Sequence, residues 1–329
     1  MLVDSRRFKP VPFFAVLLGL ALLVWGSERF VFGASATARN LGVSPLLIGL
    51  TIVGAGTSAP EAMVSVTAAL QGNPGVSIGN ALGSNIANVG LVLGVTALVR
   101  GVMVRSKVFH LEFPLMFGVI GLAWVLLGDG LLDQTDGIVL GLAFIGLLTI
   151  MGIIATRARR SDPLRREFAE GIPAGVNTAK ALLWLVVGLA ALLLGSKAIV
   201  WGSVSIARSF GVSDLLIGLT VIAVGTSLPE LAASITSVLK NEPDIAVGNV
   251  IGSNMFNLLP VLAIPGLIAP TIVPPEALQR DFPVMVTLSV ALLVMAWGFR
   301  GAGRIARWEG GVLLLAFISY QGLLYVSAS

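Results

Sequence analysis

Ten long apolar stretches recur along the 329 residues, separated by short breaks marked by polar residues, glycine or proline. They cover about 11–38, 43–71, 75–99, 112–128, 135–155, 179–208, 212–240, 244–269, 282–299 and 307–327. A helix needs roughly 20 apolar residues to cross a hydrocarbon core. The period-two alternation of a membrane β-barrel is absent. The pattern therefore predicts an all-α polytopic membrane protein with ten transmembrane helices. Spans one and six exceed the length of a perpendicular crossing and are expected to tilt or to extend past the bilayer.

The polar segments divide the chain. Only 156–178 is a sizeable hydrophilic connection, giving a first five-helix unit over 1–155, a basic linker over 156–178 and a second five-helix unit over 179–329. The linker is too short for a folded domain. The basic start of the chain (Arg6, Arg7, Lys9) followed by an apolar run suggests a leader. Against that, Gly26-Ser27 matches Gly195-Ser196 in the second half, and Glu28 and Arg29 interrupt the approach to the nearest small-residue site. The segment reads as the first membrane helix.

The two halves carry one motif twice. Gly-Leu-Thr-x-x-x-x-Gly-Thr-Ser-x-Pro-Glu runs from Gly49 to Glu61 and from Gly218 to Glu230, 169 residues apart. At the same offset, Gly-Asn-x-x-Gly-Ser-Asn-x-x-Asn runs over Gly79–Asn88 and Gly248–Asn257. An odd number of spans per half inserts the second copy upside down, an arrangement of transporters that hold substrate at the midplane between inverted repeats.

Within span two, Thr57 and Glu61 fall one helical turn apart on a common face, next to Ser58. Pro60 cannot donate to the Gly56 carbonyl and crowds it, while Gly54 and Gly56 loosen the same turn. An interrupted helix with freed carbonyls is expected, tolerable at membrane depth only where it lines a cavity. Span seven repeats this with Thr226, Ser227, Pro229 and Glu230. Spans three and eight add Ser84 and Asn88, and Ser253 and Asn257, with Asn80, Asn85, Asn249 and Asn254 nearby as interhelical hydrogen-bonding groups or further ligands. Gly79 and Gly83, like Gly248 and Gly252, form small-residue faces for close helix approach. A charged residue inside a membrane helix is expensive, so two glutamates at matching positions point to function. The pooled donors are carboxylates, hydroxyls, amides and carbonyls, a set that suits a hard cation such as Ca²⁺ or Na⁺.

Composition narrows the alternatives. Charged residues make up 12% and hydrophobic ones 56%, against about 25% charged in soluble domains. Cysteine is absent, which excludes disulfides and thiolate metal sites. The one histidine, His110, lies in a basic loop and reads as solvated. No nucleophile–base couple or paired-aspartate motif supports an enzyme. The net charge of +4 follows from the distribution of Lys and Arg rather than from affinity for nucleic acid. With the N-terminus outside, 14 basic residues fall in inside loops and five outside, so both termini are expected outside. Glu28 and Lys197 occupy matching positions and read as interfacial anchors.

At Gly56-Thr57-Ser58-Ala59-Pro60-Glu61, Gly225-Thr226-Ser227-Leu228-Pro229-Glu230, Gly83–Asn88 and Gly252–Asn257 the chain resembles the cation/Ca²⁺ antiporter superfamily, and within it the prokaryotic sodium/calcium exchangers. The resemblance covers nearly the whole chain. It implies ten helices with ion sites on the second, third, seventh and eighth, and a long first and sixth helix that slide across the rest. It implies Glu61 and Glu230 as central Ca²⁺ ligands with carbonyls of Thr57 and Thr226. Ser58, Ser84, Ser227 and Ser253, with carbonyls near Gly54 and Ala223, would serve Na⁺, and Asn88 and Asn257 would fill the remaining central positions. Some relatives carry aspartate where this chain has Asn257. Proton-coupled relatives often have Asn at both positions, so the coupling ion stays open between Na⁺ and H⁺, with the paired hydroxyls favouring Na⁺. The expectation is Ca²⁺/Na⁺ antiport in an inner (plasma) membrane by a monomer that contacts lipid and needs no cofactor.

Overall fold

The computed structural model describes residues 10–104, 111–161, 176–210, 223–297 and 303–328. The basic N-terminal tail, His110 with its loop, most of the linker and the start of the second Gly-Leu-Thr motif lie outside the described residues. The helices coincide with the apolar stretches read from the sequence. They are α1 (Pro10–Leu41), α2 (Pro45–Thr57), α3 (Ala59–Leu70), α4 (Pro74–Val99), α5 (Glu112–Leu127) and α6 (Gln134–Ser161) in the first half. The second half holds α7 (Thr178–Ser209), α8 (Ala223–Thr226), α9 (Leu228–Leu239), α10 (Pro243–Ile268), α11 (Ala277–Ala296) and α12 (Arg307–Ala328). Among the described residues, seven helices are long and apolar enough to cross a membrane. Counted as one span, the bent pair α2–α3 brings the number to eight, and α5 and α9 are shorter apolar helices.

Burial sorts these helices into an inside and an outside. The most apolar windows of α4 and α10 are 72% and 78% buried, whereas those of α1 and α7 are 28% and 33% buried. The outer faces of α1 and α7 present Phe14, Leu17, Val24, Leu183 and Trp201, an apolar surface suited to lipid. Their shared face is small. Glycines recur every seven residues, or two helical turns, on both helices: Gly19 meets Gly195 and Gly26 meets Gly188, while Gly33 packs on Leu185 and Ala181 and Gly202 on Pro12 and Val16. A Cβ at Gly26 would stand 2.8 Å from the Ala191 Cβ, and one at Gly195 would stand 2.8 Å from the Gly19 carbonyl oxygen. In lipid, where apolar surface alone does not drive association, such backbone-to-backbone contact is what holds two helices together.

Two short antiparallel ribbons add strand to the expected all-helical chain. Val102–Val104 (β1) pairs with Gly303–Ile305 (β4), and Leu131–Leu132 (β2) pairs with Thr271–Ile272 (β3). Each ribbon joins a loop of the first half to a loop of the second. Val102, Val104 and Ile305 are buried, so the first ribbon also caps the core. Phe113 in the first turn of α5 and Phe282 at the start of the α-helical part of α11 stand in matching Phe-Pro steps, each preceded by a buried acid, Glu112 and Asp281.

Candidate functional site

The proline in each Gly-Thr-Ser-x-Pro-Glu motif interrupts its helix as its chemistry requires. α2 ends at Thr57, Ser58 takes φ −79° and ψ 5°, and α3 leaves at a 40° bend with Pro60 in its first turn. In the second half α8 ends at Thr226, Ser227 takes φ −86° and ψ 3°, and α9 begins with Pro229 in its first turn. Both breaks open the ladder where a proline N–H is missing. α4 and α10 carry a second distortion, a π-helical turn starting at Asn88 and at Asn257 (Asn88–Leu93 and Asn257–Val261). Such turns leave carbonyls free of regular pairing and occur often at functional sites.

The breaks gather the chemistry at the middle of the bundle. Glu61 and Glu230 are each 1% exposed and stand close enough for their charges to repel. The Thr57 hydroxyl lies beside the Glu230 carboxylate, so the first motif reaches the second. Buried polar atoms normally find partners, yet five here have none: Oε2 of Glu61 and Glu230, Oγ of Ser58 and Ser227, and Oδ1 of Asn257. These account for half of the ten buried side-chain atoms without partners among the described residues. Four of the five form matching pairs between the repeats. All five are oxygens, as a hard cation requires. Leaving such groups unmatched costs about 1–3 kcal/mol each, more for a charge, a cost that a bound cation would offset.

The asparagines split into two kinds. Asn80 donates from Nδ2 to the Glu61 carbonyl (2.9 Å) and to Ser65 Oγ (3.2 Å). Its counterpart Asn249 does the same to the Glu230 carbonyl (3.2 Å) and Ser234 Oγ (3.0 Å). These two brace the backbone of the glutamates. Asn88 Nδ2 donates to Asn254 Oδ1 at 3.1 Å, and Asn257 Nδ2 donates to Asn85 Oδ1 at 3.2 Å. Each half thus orients the amide of the other, and Asn257 keeps its oxygen uncommitted. Thr57 Oγ1 donates to the Val53 carbonyl at 3.0 Å and also meets Asn249 Oδ1 at 3.0 Å. Ser253 Oγ lies 3.4 Å from both Thr57 Oγ1 and the Gly54 carbonyl.

A cavity of about 390 Å³ reaches this site from one side, lined by Ser84, Thr226, Asp281 and Tyr320 among others. Its wall includes Gly79 and Gly83, where an added Cβ would meet nothing within 4 Å. The close approach expected at these glycines is therefore not made in this conformation. Their counterparts make it. A Cβ at Gly252 would stand 2.8 Å from the Leu50 carbonyl carbon, and one at Gly248 would stand 2.8 Å from the Leu50 nitrogen. The reason is that α2 lies against α10, whereas the matching face of α4 borders the cavity.

All ten residues singled out in the sequence are described. Thr57, Ser58, Glu61, Asn88, Ser227, Glu230, Ser253 and Asn257 are almost wholly buried, Ser84 is 6% exposed on the cavity wall, and Thr226 lines the same cavity. Sequence reasoning missed the bracing serines Ser65 and Ser234, and the Arg280–Asp281–Tyr320 cluster at the cavity. The matching Glu112-Phe113-Pro114 and Asp281-Phe282-Pro283 were the available signal for Asp281.

A family model described as sodium/calcium exchanger protein matches residues 11–153 and 180–326. The chain is 50% identical over 312 residues to the antiporter-designated CaxA of Alkalimonas amylolytica, covering 95% of this chain and 98% of that one. It is 41% identical to the inner membrane protein YrbG of Escherichia coli K12, covering 94% and 95%. It is 35% identical to the sodium/calcium exchanger MaX1 of Methanosarcina acetivorans, covering 96% and 99%. Among solved structures, the sodium-calcium exchanger NCX_Mj soaked with Na⁺ and Sr²⁺ superposes with a TM-score of 0.80 at 32% identity, covering 95% of this chain and 98% of that chain.

Proposed function

The chain belongs to the sodium/calcium exchanger family, a family of multi-pass membrane antiporters rather than enzymes, and from that premise we propose that it exchanges Ca²⁺ for Na⁺ by alternating access. The observation that carries this reading is the matched set of buried, uncommitted oxygens on Glu61, Glu230, Ser58 and Ser227. Two carboxylates neutralise one divalent ion. Thr57, Thr226, Asn88 and Asn257 complete the central cage through carbonyl and amide oxygens. Ser84 and Ser253 join Ser58 and Ser227 in holding Na⁺.

Competition for the glutamates couples the two ions. Closing the bundle over an empty, doubly charged site leaves two like charges buried without partners, at a cost of several kcal/mol. Ca²⁺ or Na⁺ removes that cost, so the switch between faces is permitted only to a loaded site. Exchange is then obligatory, and an inward Na⁺ gradient extrudes Ca²⁺.

The architecture proposed for this cycle is ten spans in two inverted five-helix units, 1–155 and 179–329, joined by a basic linker at 156–178. The two separate stretches matched by the family model support that division. So does the difference between repeat-equivalent positions: Gly79 and Gly83 face a cavity, whereas Gly248 and Gly252 are packed shut. Two identical motifs in unlike surroundings are what an alternating-access protein looks like when caught facing one way. The basic-residue distribution favours both termini outside, and under that topology the cavity opens outward. The likeness to YrbG, named as an inner membrane protein, supports location in the inner membrane.

The test is ⁴⁵Ca²⁺ flux into proteoliposomes holding imposed Na⁺, K⁺ or H⁺ gradients. Uptake driven by the Na⁺ gradient alone is expected. Uptake driven by a pH gradient without Na⁺ would overturn the Na⁺ reading in favour of Ca²⁺/H⁺ antiport, which the two asparagines at 88 and 257 allow.

A further inference from the structure

The cavity that leads to Ser84 and Thr226 is lined on its other side by Arg280, Asp281, Tyr320 and Gln321. Asp281 ends the π-helical turn that begins α11, and it is 8% exposed. Arg280 Nε donates to Asp281 Oδ1 at 2.7 Å and Tyr320 Oη donates to the same oxygen at 2.9 Å. Oδ2 receives a longer contact, 3.3 Å from Arg280 Nη2. The guanidinium side is the wetter one: the Arg280 side chain is 27% exposed and that of Asp281 is 11%. A fixed ion pair with its negative end the more buried therefore stands on the wall of the passage that a cation must take.

We propose that the Arg280–Asp281 pair sets the electrostatic potential of this entry passage and so determines the apparent affinity for the divalent ion on the side where the cavity opens. The inference rests on the exchange reading above and adds residues outside the central ligand set. A potential acts on a dication with twice the energy it exerts on a monovalent ion. Any change in the pair's charge thus alters Ca²⁺ entry as the square of its effect on Na⁺. Tyr320 is a positioning residue: it comes from α12 and fixes the carboxylate that Arg280 balances.

The experiment measures the concentration dependence of ⁴⁵Ca²⁺ and Na⁺ transport in vesicles of one orientation, with ions added to either face. Asp281→Asn keeps an Oδ1 acceptor for both donors but removes one negative charge from the wall of the passage. It is expected to raise the cavity-side KM about tenfold for Ca²⁺ and about threefold for Na⁺, following the charge-squared relation. The effect should shrink as ionic strength rises, and KM on the opposite face should not move. Arg280→Gln should lower the cavity-side KM for Ca²⁺, and Arg280→Gln/Asp281→Asn should return it near the wild-type value. Because Arg280 is partly exposed, that variant tests the proposal even if Asp281→Asn does not fold. Both single substitutions raising KM, or lowering only the maximal rate on both faces, would reduce the cluster to a clasp between α11 and α12 and overturn the proposal. Wild-type protein that moves no Ca²⁺ against Na⁺ would overturn the exchange reading itself, whereas normal wild-type exchange with unshifted variants would overturn the pair's role alone.

Discussion

Replacing Gly252 by alanine and, separately, its repeat counterpart Gly83 by alanine should push the protein in opposite directions. At Gly252 the new Cβ would meet the backbone of Leu50, with the carbonyl carbon and Cα both at 2.8 Å. Backbone cannot rotate away as a side-chain end can, and forcing a methyl group into packed structure costs roughly 1–3 kcal/mol. At Gly83 nothing stands within 4 Å, so alanine is free in the conformation described. In the alternate state of an inverted-repeat protein the roles exchange, and the clash moves to Gly83. Since about 1.4 kcal/mol is a factor of ten, Gly252→Ala should shift the open-to-closed equilibrium of the cavity by about 5- to 150-fold toward closed. Gly83→Ala should shift it by a similar factor toward open. The natural chain has no cysteine, which makes the assay clean: Val76→Cys, on the cavity wall and 56% exposed, is labelled with a membrane-impermeant thiol reagent in each background. Labelling should slow with Gly252→Ala and hold or quicken with Gly83→Ala. Parallel changes in the two variants would refute the reasoning, because they would mean the paired glycines do not trade environments.

Other expectations follow from the same geometry. Glu61→Gln or Glu230→Gln should abolish Ca²⁺ transport, read by ⁴⁵Ca²⁺ flux, while size-exclusion profiles stay those of folded protein; near-normal flux in either would remove that residue from the site. Ser58→Ala and Ser227→Ala delete hydroxyls that have no partner, so thermal unfolding should stay within a degree or two while the Na⁺ concentration for half-maximal exchange rises. Asn249→Ala should do the reverse to stability, losing two hydrogen bonds beneath Glu230 at about 1–3 kcal/mol, seen as a lowered unfolding midpoint. A disulfide between Met103→Cys and Arg304→Cys, which stand opposite each other in the first ribbon, should form readily and leave Ca²⁺ flux intact.

Much of this fold could be read directly because lipid imposes a simple rule. A span must satisfy its own backbone and show an apolar surface, so hydropathy alone located α1, α4, α10 and α12 to within a few residues. Pro60 and Pro229 announced the helix breaks, and the doubled motif announced the site. What stayed hidden depends on contacts between distant parts. Asn80 and Asn249 read in sequence as interhelical hydrogen-bonding groups or further ligands, and only their donation to backbone carbonyls 19 residues earlier decides between the two. The π-turns at Asn88 and Asn257 carry no composition signal of their own. Nor does sequence reveal which of two identical glycine faces is packed, since that is a property of the conformation and not of the residues.

The two small ribbons carry a mechanical consequence. β1–β4 and β2–β3 stitch loops of the first half to loops of the second, so the halves cannot rock apart as two rigid shells without breaking strand pairing. The stitched helices make a fixed frame. α1 and α7, locked to one another by matching glycines and largely facing lipid, lie outside those stitches. Under the alternating-access reading proposed above, the freedom left to this molecule is that of a paired shuttle travelling along a stationary housing.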